Sequence, residues 1–245
     1  MFSILGSIGA ILAATGFVLL TEKIQKALVS TLISFAIGTL LTTALLGLIP
    51  EAIESVGGEP HIVMPYVLGG ILFFFFLEKF IIWRNCSDEE CDVHAAAGPI
   101  VLIGDAFHNF IDGIVIAAGF LTNFTVGLAA AIAIIAHEIP QETGDFGILL
   151  HGGFSKKKAF LYNVLSSITT IPAALISFFV LGSISFIVPY ALAISAASFL
   201  YIALSDLTPE LHQKWGLKHT VKQFVLILAG VLIMLLIFTF IGHNH

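Results

Sequence analysis

The stretch IIAHEIPQETGDFGILLH, Ile134 to His151, puts two histidines, two glutamates and an aspartate into a run that otherwise reads as lipid-soluble helix. An ionisable side chain near a bilayer centre costs at least ~2.5 kcal/mol on insertion scales, so such residues usually face a pathway, a partner or a bound ion. Which of these applies depends on whether the run crosses a membrane, and on what stands opposite it.

The chain has 245 residues, 58% of them apolar and 11% charged, with 22 Phe and a mean hydropathy of +1.04. Soluble domains hold only about 45–50% apolar residues. A bilayer core of ~30 Å needs about 20 apolar residues per helix. Eight runs meet that length: roughly 3–21, 28–50, 62–83, 98–121, 124–151, 159–182, 186–205 and 220–242. The expectation is an all-α polytopic membrane protein with eight transmembrane helices in one domain, residues 1–245, and a single polar loop of any length, 84–97. The first run has no Lys or Arg before it and no small-residue cleavage pattern before Thr21-Glu22-Lys23, so it reads as a helix and not as a signal peptide.

All ten basic residues lie in or beside four alternate connections: Lys23 and Lys26; Lys79 and Arg84; Lys156, Lys157 and Lys158; Lys214, Lys218 and Lys222. The opposite connections and both termini carry none. By the positive-inside rule the basic loops are cytoplasmic, and an even number of helices leaves both termini outside. The loop RNCSDEECDVH holds Cys86, Cys91 and His94 among four acids. It has two readings, a cytoplasmic metal-capturing patch with reduced thiols or a short solvated acidic loop.

Between Arg84 and Lys156 there is no Lys or Arg, yet the fourth and fifth runs contain Asp105, Asp112, Glu138, Glu142 and Asp145. Either several of these carboxylates are protonated, which burial favours, or a mobile cation balances them. Aligned, GDAFHNFIDG and AHEIPQETGD show one pattern twice: His108, Asn109 and Asp112, then His137, Glu138 and Gln141. Residues four apart stack on one helix face about 6 Å along the axis, and adjacent residues are turned by ~100°. His108 and Asp112 therefore share a stripe with Asn109 beside it, and His137 and Gln141 share one with Glu138 and Glu142 beside it.

Packed face to face, the two helices bring two imidazoles, a carboxylate and an amide oxygen to one depth, with Asn109 and two glutamates adjacent. Nitrogen and oxygen donors in this mixture suit Zn²⁺, Fe²⁺, Mn²⁺ or Co²⁺ better than Cu(I) or Mg²⁺. Pro140 removes a backbone donor from the carbonyl of Ala136, an irregularity tolerated at membrane depth where it lines a cavity or is buried in protein. Asp105 and Asp145 continue the two faces and lie on the cytoplasmic side of the histidines, as an acidic exit lane.

Two other readings remain open here. The cluster could be a buried hydrogen-bond network joining two helices. HExxQ could instead be an altered HExxH of an intramembrane metalloprotease, with Glu138 as base and Gln141 in place of the second histidine.

HNFIDG followed by HEIPQETGDF resembles the paired metal motifs of the ZIP (Zrt/Irt-like) family of divalent-metal transporters, and the likeness covers nearly the whole chain. GTLLTTALLGLIPEA and SFLYIALSDLTPEL are similar to further family motifs, and bring Glu51 and Asp206 in as candidate pathway carboxylates beside Asp105 and Asp145. The resemblance implies eight helices with both termini outside. It also implies a transport unit of helices 1, 4, 5 and 6 moving against a scaffold of helices 2, 3, 7 and 8, within a homodimer. It implies that His108, Asp112, His137 and Gln141 hold a primary metal, that Asn109, Asp112 and Glu138 form a second site, and that Asp112 bridges them.

Gln141 departs from the family pattern HExPHExGD, which has His there; other members have Glu. A neutral amide cannot bridge two cations as a carboxylate does, and Glu142 stands on the adjacent stripe to compensate.

The expected function is uptake of a divalent metal into the cytoplasm across a plasma or bacterial inner membrane. Zn²⁺ is expected first, with Fe²⁺, Mn²⁺, Co²⁺ or Cd²⁺ as other cargoes. The alternative is a gated channel with the same ligands. No GxxxxGK phosphate loop is present, so ATP is not the expected driver, and the expected partners are the ion, the lipid bilayer and a second copy, with no nucleic acid.

Overall fold

In hydrocarbon a backbone must satisfy its own polar groups, so long apolar runs without turn residues become helices. The computed structural model describes residues 22–85, 93–151, 154–212 and 216–242, and among these nearly every residue is helical and none is in a strand. α1 (Glu22–Thr42), a π-helical stretch π1 (Thr43–Leu48) and α2 (Ile49–Ser55) follow one another without a loop. α3 spans Pro60–Asn85, α4 Val93–Thr122 and α5 Phe124–His151. α6 (Lys156–Ser167) and α7 (Thr170–Ser183) form a broken pair. α8 (Val188–Tyr201), a second π-helical stretch π2 (Ile202–Leu207) and α9 (Thr208–His212) repeat the arrangement at the start, and α10 spans Leu217–Gly242.

Among the described residues five segments are long and apolar enough to cross a membrane: Thr31–Ser55, Pro60–Phe80, Lys156–Ser183, Val188–Ser205 and Leu217–Phe240. α4 and α5, at 30 and 28 residues, exceed the ~20 that a crossing needs, and they carry the acidic residues. The chain is thus an all-helical, polytopic membrane protein. The first apolar run, 3–21, lies outside the described residues, as do Cys86 and Cys91. The polar loop is shorter than expected over 84–97: α3 continues to Asn85 and α4 begins at Val93, with Ala95, Ala96 and Ala97 among the best helix formers.

The two π-helical stretches have a common cause. Pro50 and Pro209 lack an N–H, and in an unbroken α-helix each ring would press on the carbonyl four residues earlier. Just before each proline the register loosens: the Ile49 N–H bonds Ala44 O and the Thr208 N–H bonds Ala203 O, five residues back. The Thr208 hydroxyl adds a bond of 2.7 Å to the same Ala203 carbonyl. Similar sequences, TALLGLIPE over 43–51 and IALSDLTPE over 202–210, make the same local structure.

Pro172 breaks the sixth run by tightening the register instead of loosening it. It cannot donate to Ile168 O, which takes the Ile171 N–H instead at 3.1 Å. α2 ends where Gly57 and Gly58 adopt positive φ, 83° and 85°, a conformation open to Gly at no steric cost.

α1 packs along α10 and α3 along α8, while α4 packs along α5, α6 and α7. Between these groups α5 also meets α1, and α4 meets α8. The central core there is rich in small residues, including Ala130 and Ala133 of α5 and Ala193, Ala196 and Ala197 of α8. Gly113 sets the closest approach of α4 to α7: a Cβ there would lie 2.5 Å from Thr170 O and 2.6 Å from the Ala173 methyl. Phe76 of α3 and Phe240 of α10 face outward, as apolar side chains meeting lipid do.

Candidate metal centre

α4 and α5 run side by side, so the i, i+4 stripe of one faces that of the other. His108 and Asp112 come from α4, and His137 and Glu138 from α5; one donor atom from each gathers within 4.8 Å of the rest. His108 Nε2 lies 3.0 Å from His137 Nε2. Asp112 Oδ2 is 3.2 Å from His137 Nε2 and 3.7 Å from His108 Nε2, and Glu138 Oε1 is 3.6 Å from both. Asp112, His137 and Glu138 are buried, and His108 is partly exposed.

These separations have a chemical meaning. Four N or O ligands about 2.0–2.1 Å from a tetrahedral zinc ion stand roughly 3.4 Å from one another, and these five separations run from 3.0 to 3.7 Å. His137 Nδ1 lies 3.0 Å from Ala133 O. A proton on Nδ1 donates to that carbonyl and leaves the Nε2 lone pair facing the group, the usual way a metal-ligating imidazole is oriented. Both oxygens of Asp112 and both of Glu138 are buried without a hydrogen-bond partner. Among the described residues no Lys or Arg forms an ion pair with them.

The expected residues divide between this group and its surroundings. Gln141 is tied outside the group of four, its Nε2 donating to Asp105 Oδ1 at 3.2 Å. Asn109 donates to the same oxygen at 3.0 Å and accepts from the Thr170 hydroxyl at 2.8 Å. Glu138, expected one stripe aside, is within the group of four. Glu142 stands away from it: its carboxylate is bonded by the Ser167 hydroxyl and its carbonyl by Asn163 Nδ2 at 2.9 Å. Asp145 stands three residues beyond Glu142, on the same face of α5.

Glu51 lines a separate open cavity of about 580 Å³ with Thr122, Phe186 and Tyr190 among its other walls. Asp206 belongs to π2 and His94 to the start of α4.

Four neighbours were not singled out from the sequence. Asn163, Ser167 and Thr170 come from the broken α6–α7 pair, and the Phe199 ring of α8 packs edge-on to His137 with centroids 6.0 Å apart. The polar run YNVLSSITT inside an apolar segment was the available signal for the first three. Phe199 had none, being one of 22 Phe.

Residues 83–238 match the family model described as ZIP Zinc transporter. The chain is 33% identical over 224 residues to zinc transporter ZIP13 of Pongo abelii, covering 86% of this chain and 67% of that protein. It is 38% identical over 151 residues to zinc transporter ZIP10 of Danio rerio, covering 59% of this chain and 18% of the relative. For zinc transporter ZIP4 of Rattus norvegicus the figures are 28% identity over 272 residues, 81% of this chain and 41% of the relative. The chain thus spans less than half of the ZIP10 and ZIP4 relatives and about two thirds of ZIP13.

Proposed function

Because the chain belongs to the ZIP zinc transporter family, we propose that it carries a divalent transition metal, zinc first, through the membrane by way of His108, Asp112, His137 and Glu138. The family is one of transporters and not of enzymes, so HExxQ is not read as a protease motif. The single observation that carries the proposal is the convergence of four donors, five of whose six mutual separations, 3.0–3.7 Å, lie near the edge of a tetrahedral coordination sphere. Two imidazoles and two carboxylates suit zinc, with Fe²⁺, Mn²⁺, Co²⁺ and Cd²⁺ as further cargoes.

Gln141 and Asn109 enter as ligands when their bonds to Asp105 open, which would extend the site toward a second ion bridged by Asp112. The direction is inward, as the family resemblance implies, and the confinement of all ten basic residues to alternate loops supports a cytoplasmic side for those loops in a plasma or bacterial inner membrane. Asp105 and Asp145 then lie on the exit side, Glu51 in its cavity on the entry side, and Asp206 on the exit end of α8 and π2.

Movement of α4, α5 and α6–α7 as a unit against α1, α3, α8 and α10, in a homodimer, is the proposed form of alternating access. The small side chains of the shared core support it, since Ala130 and Ala133 of α5 and Ala193 and Ala196 of α8 add little relief where the two groups would shift past each other. The driver is the metal gradient, the membrane potential or an exchanged proton.

Flux of zinc, iron, manganese, cobalt and cadmium into liposomes holding the purified chain tests the reading. Saturable zinc uptake supports a carrier. Single-channel currents would favour a channel, and absence of flux for every metal would overturn transport.

A further inference from the structure

Beyond the histidine group, on the side of Asp105, a second set of buried oxygens has no donor. Asp105 stands three residues before His108 and Glu142 five after His137, about 4.5 Å and 7.5 Å along their helix axes. Asp105 Oδ2, Glu142 Oε2 and Asn163 Oδ1 are all buried and without a hydrogen-bond partner. They come from three helices, α4, α5 and α6. The Asn163 amide is pinned by its Nδ2 to Glu142 O at 2.9 Å, which keeps its free oxygen beside Glu142. Asp145, three residues beyond Glu142, adds a third carboxylate on the same face of α5.

The donors that do reach this set leave it short of positive charge. Asn109 and Gln141 both bond Asp105 Oδ1, at 3.0 and 3.2 Å, and Ser167 bonds one oxygen of Glu142. These are neutral amides and a hydroxyl, and no Lys, Arg or His forms an ion pair with Asp105, Glu142 or Asp145 among the described residues. Leaving a buried acceptor unpaired destabilises the fold, and a charged one does so more. A cation removes that cost at all of these oxygens together.

From this we infer that Asp105, Glu142, Asp145 and Asn163 form a second, all-oxygen cation station beside the histidine site. It rests on the transport reading above and deepens it. The oxygens are more widely spaced than the four donors of the histidine group, which alone converge within 4.8 Å. That spacing suits an ion that keeps part of its water shell, as hard cations on carboxylates do. With no nitrogen donor, the station favours Mn²⁺ over Zn²⁺ relative to the histidine site. A metal passing from two imidazoles to oxygens alone moves from a tighter site to a weaker one, which assists release.

The test uses the full chain in lipid nanodiscs, with Mn²⁺ as probe, equilibrium dialysis for stoichiometry and pulsed electron paramagnetic resonance for nitrogen coupling. Wild type should show Mn²⁺ coupled to histidine nitrogen. His108→Ala/His137→Ala should still bind about one Mn²⁺ with no nitrogen coupling, and adding Glu142→Gln should weaken that ion by about tenfold or more. If the double variant does not fold, Glu142→Gln alone supplies the comparison: it should lose one Mn²⁺ while keeping the nitrogen-coupled one.

Loss of all Mn²⁺ from a folded double variant, or residual binding indifferent to both Glu142→Gln and Asp145→Asn, would overturn the station and leave the histidine site standing. Wild type without nitrogen-coupled Mn²⁺ would overturn the histidine-site reading, and the station with it.

Discussion

Gln141 donates its amide to Asp105 Oδ1 at 3.2 Å, tying α5 to α4 beside the paired imidazoles. The residue that departs from the commonest family motif is therefore held by an acid that is not in the histidine group. Gln141→His removes this tie and adds a borderline nitrogen, which late transition metals such as Zn²⁺ favour over Mn²⁺. Zinc should tighten relative to manganese by about tenfold, seen in competitive uptake at matched expression. Unchanged selectivity would mean that position 141 never reaches the metal.

Thr170 donates to Asn109 Oδ1 at 2.8 Å across the α4–α7 contact. Thr170→Val keeps the shape and leaves that buried amide oxygen unpaired, at a cost of about 1–3 kcal/mol. A lowered melting temperature in detergent, restored by Thr170→Ser, is the expected outcome. Equal melting of Val and Ser variants would remove this bond from the account.

Gly113, next to Asp112, has no room for a methyl group, since a Cβ would meet Thr170 O and the Ala173 methyl at 2.5 and 2.6 Å. Overpacking of this kind costs about 1–3 kcal/mol. Gly113→Ala should lower stability and also metal affinity, because pushing α7 from α4 moves Asp112. Isothermal titration with zinc beside a thermal melt measures both; an unchanged affinity in a destabilised variant would uncouple the packing from the site.

The pairing of His108 with Asp112, and its placement opposite His137, followed from a spacing of four and from the lack of any neighbouring Lys or Arg. Such local periodicity is readable because the helix repeat is fixed. Choosing between Glu138 and Gln141 was not, since both lie on the same side of α5 and only packing decides which donor turns inward. The π-helical stretches at Thr43–Leu48 and Ile202–Leu207 were hidden for another reason. Pro50 and Pro209 signal a disturbance, but a kink, a break and a looser register all answer it. The hydroxyls of Ser167 and Thr170 reach the site only because the sixth run breaks before Pro172.

Acid should oppose transport. Imidazoles and carboxylates must give up protons to bind a metal, so affinity is greatest where all four donors are deprotonated and falls as protons compete. Zinc uptake should therefore decline as pH is lowered at fixed metal concentration. Gln141→His should make the decline steeper by adding one more protonatable ligand. Uptake that rises with acid at fixed metal concentration would instead point to proton-driven import.

The central claim is that His137 and Asp112, 3.2 Å apart, are metal ligands on the transport path. Zinc flux into liposomes should be compared for wild type, His137→Ala and Asp112→Ala, at equal amounts of folded, inserted protein. Each variant removes one of the four convergent donors, so each should lose nearly all zinc flux while keeping its helical content. Wild-type zinc flux in either variant would contradict the account.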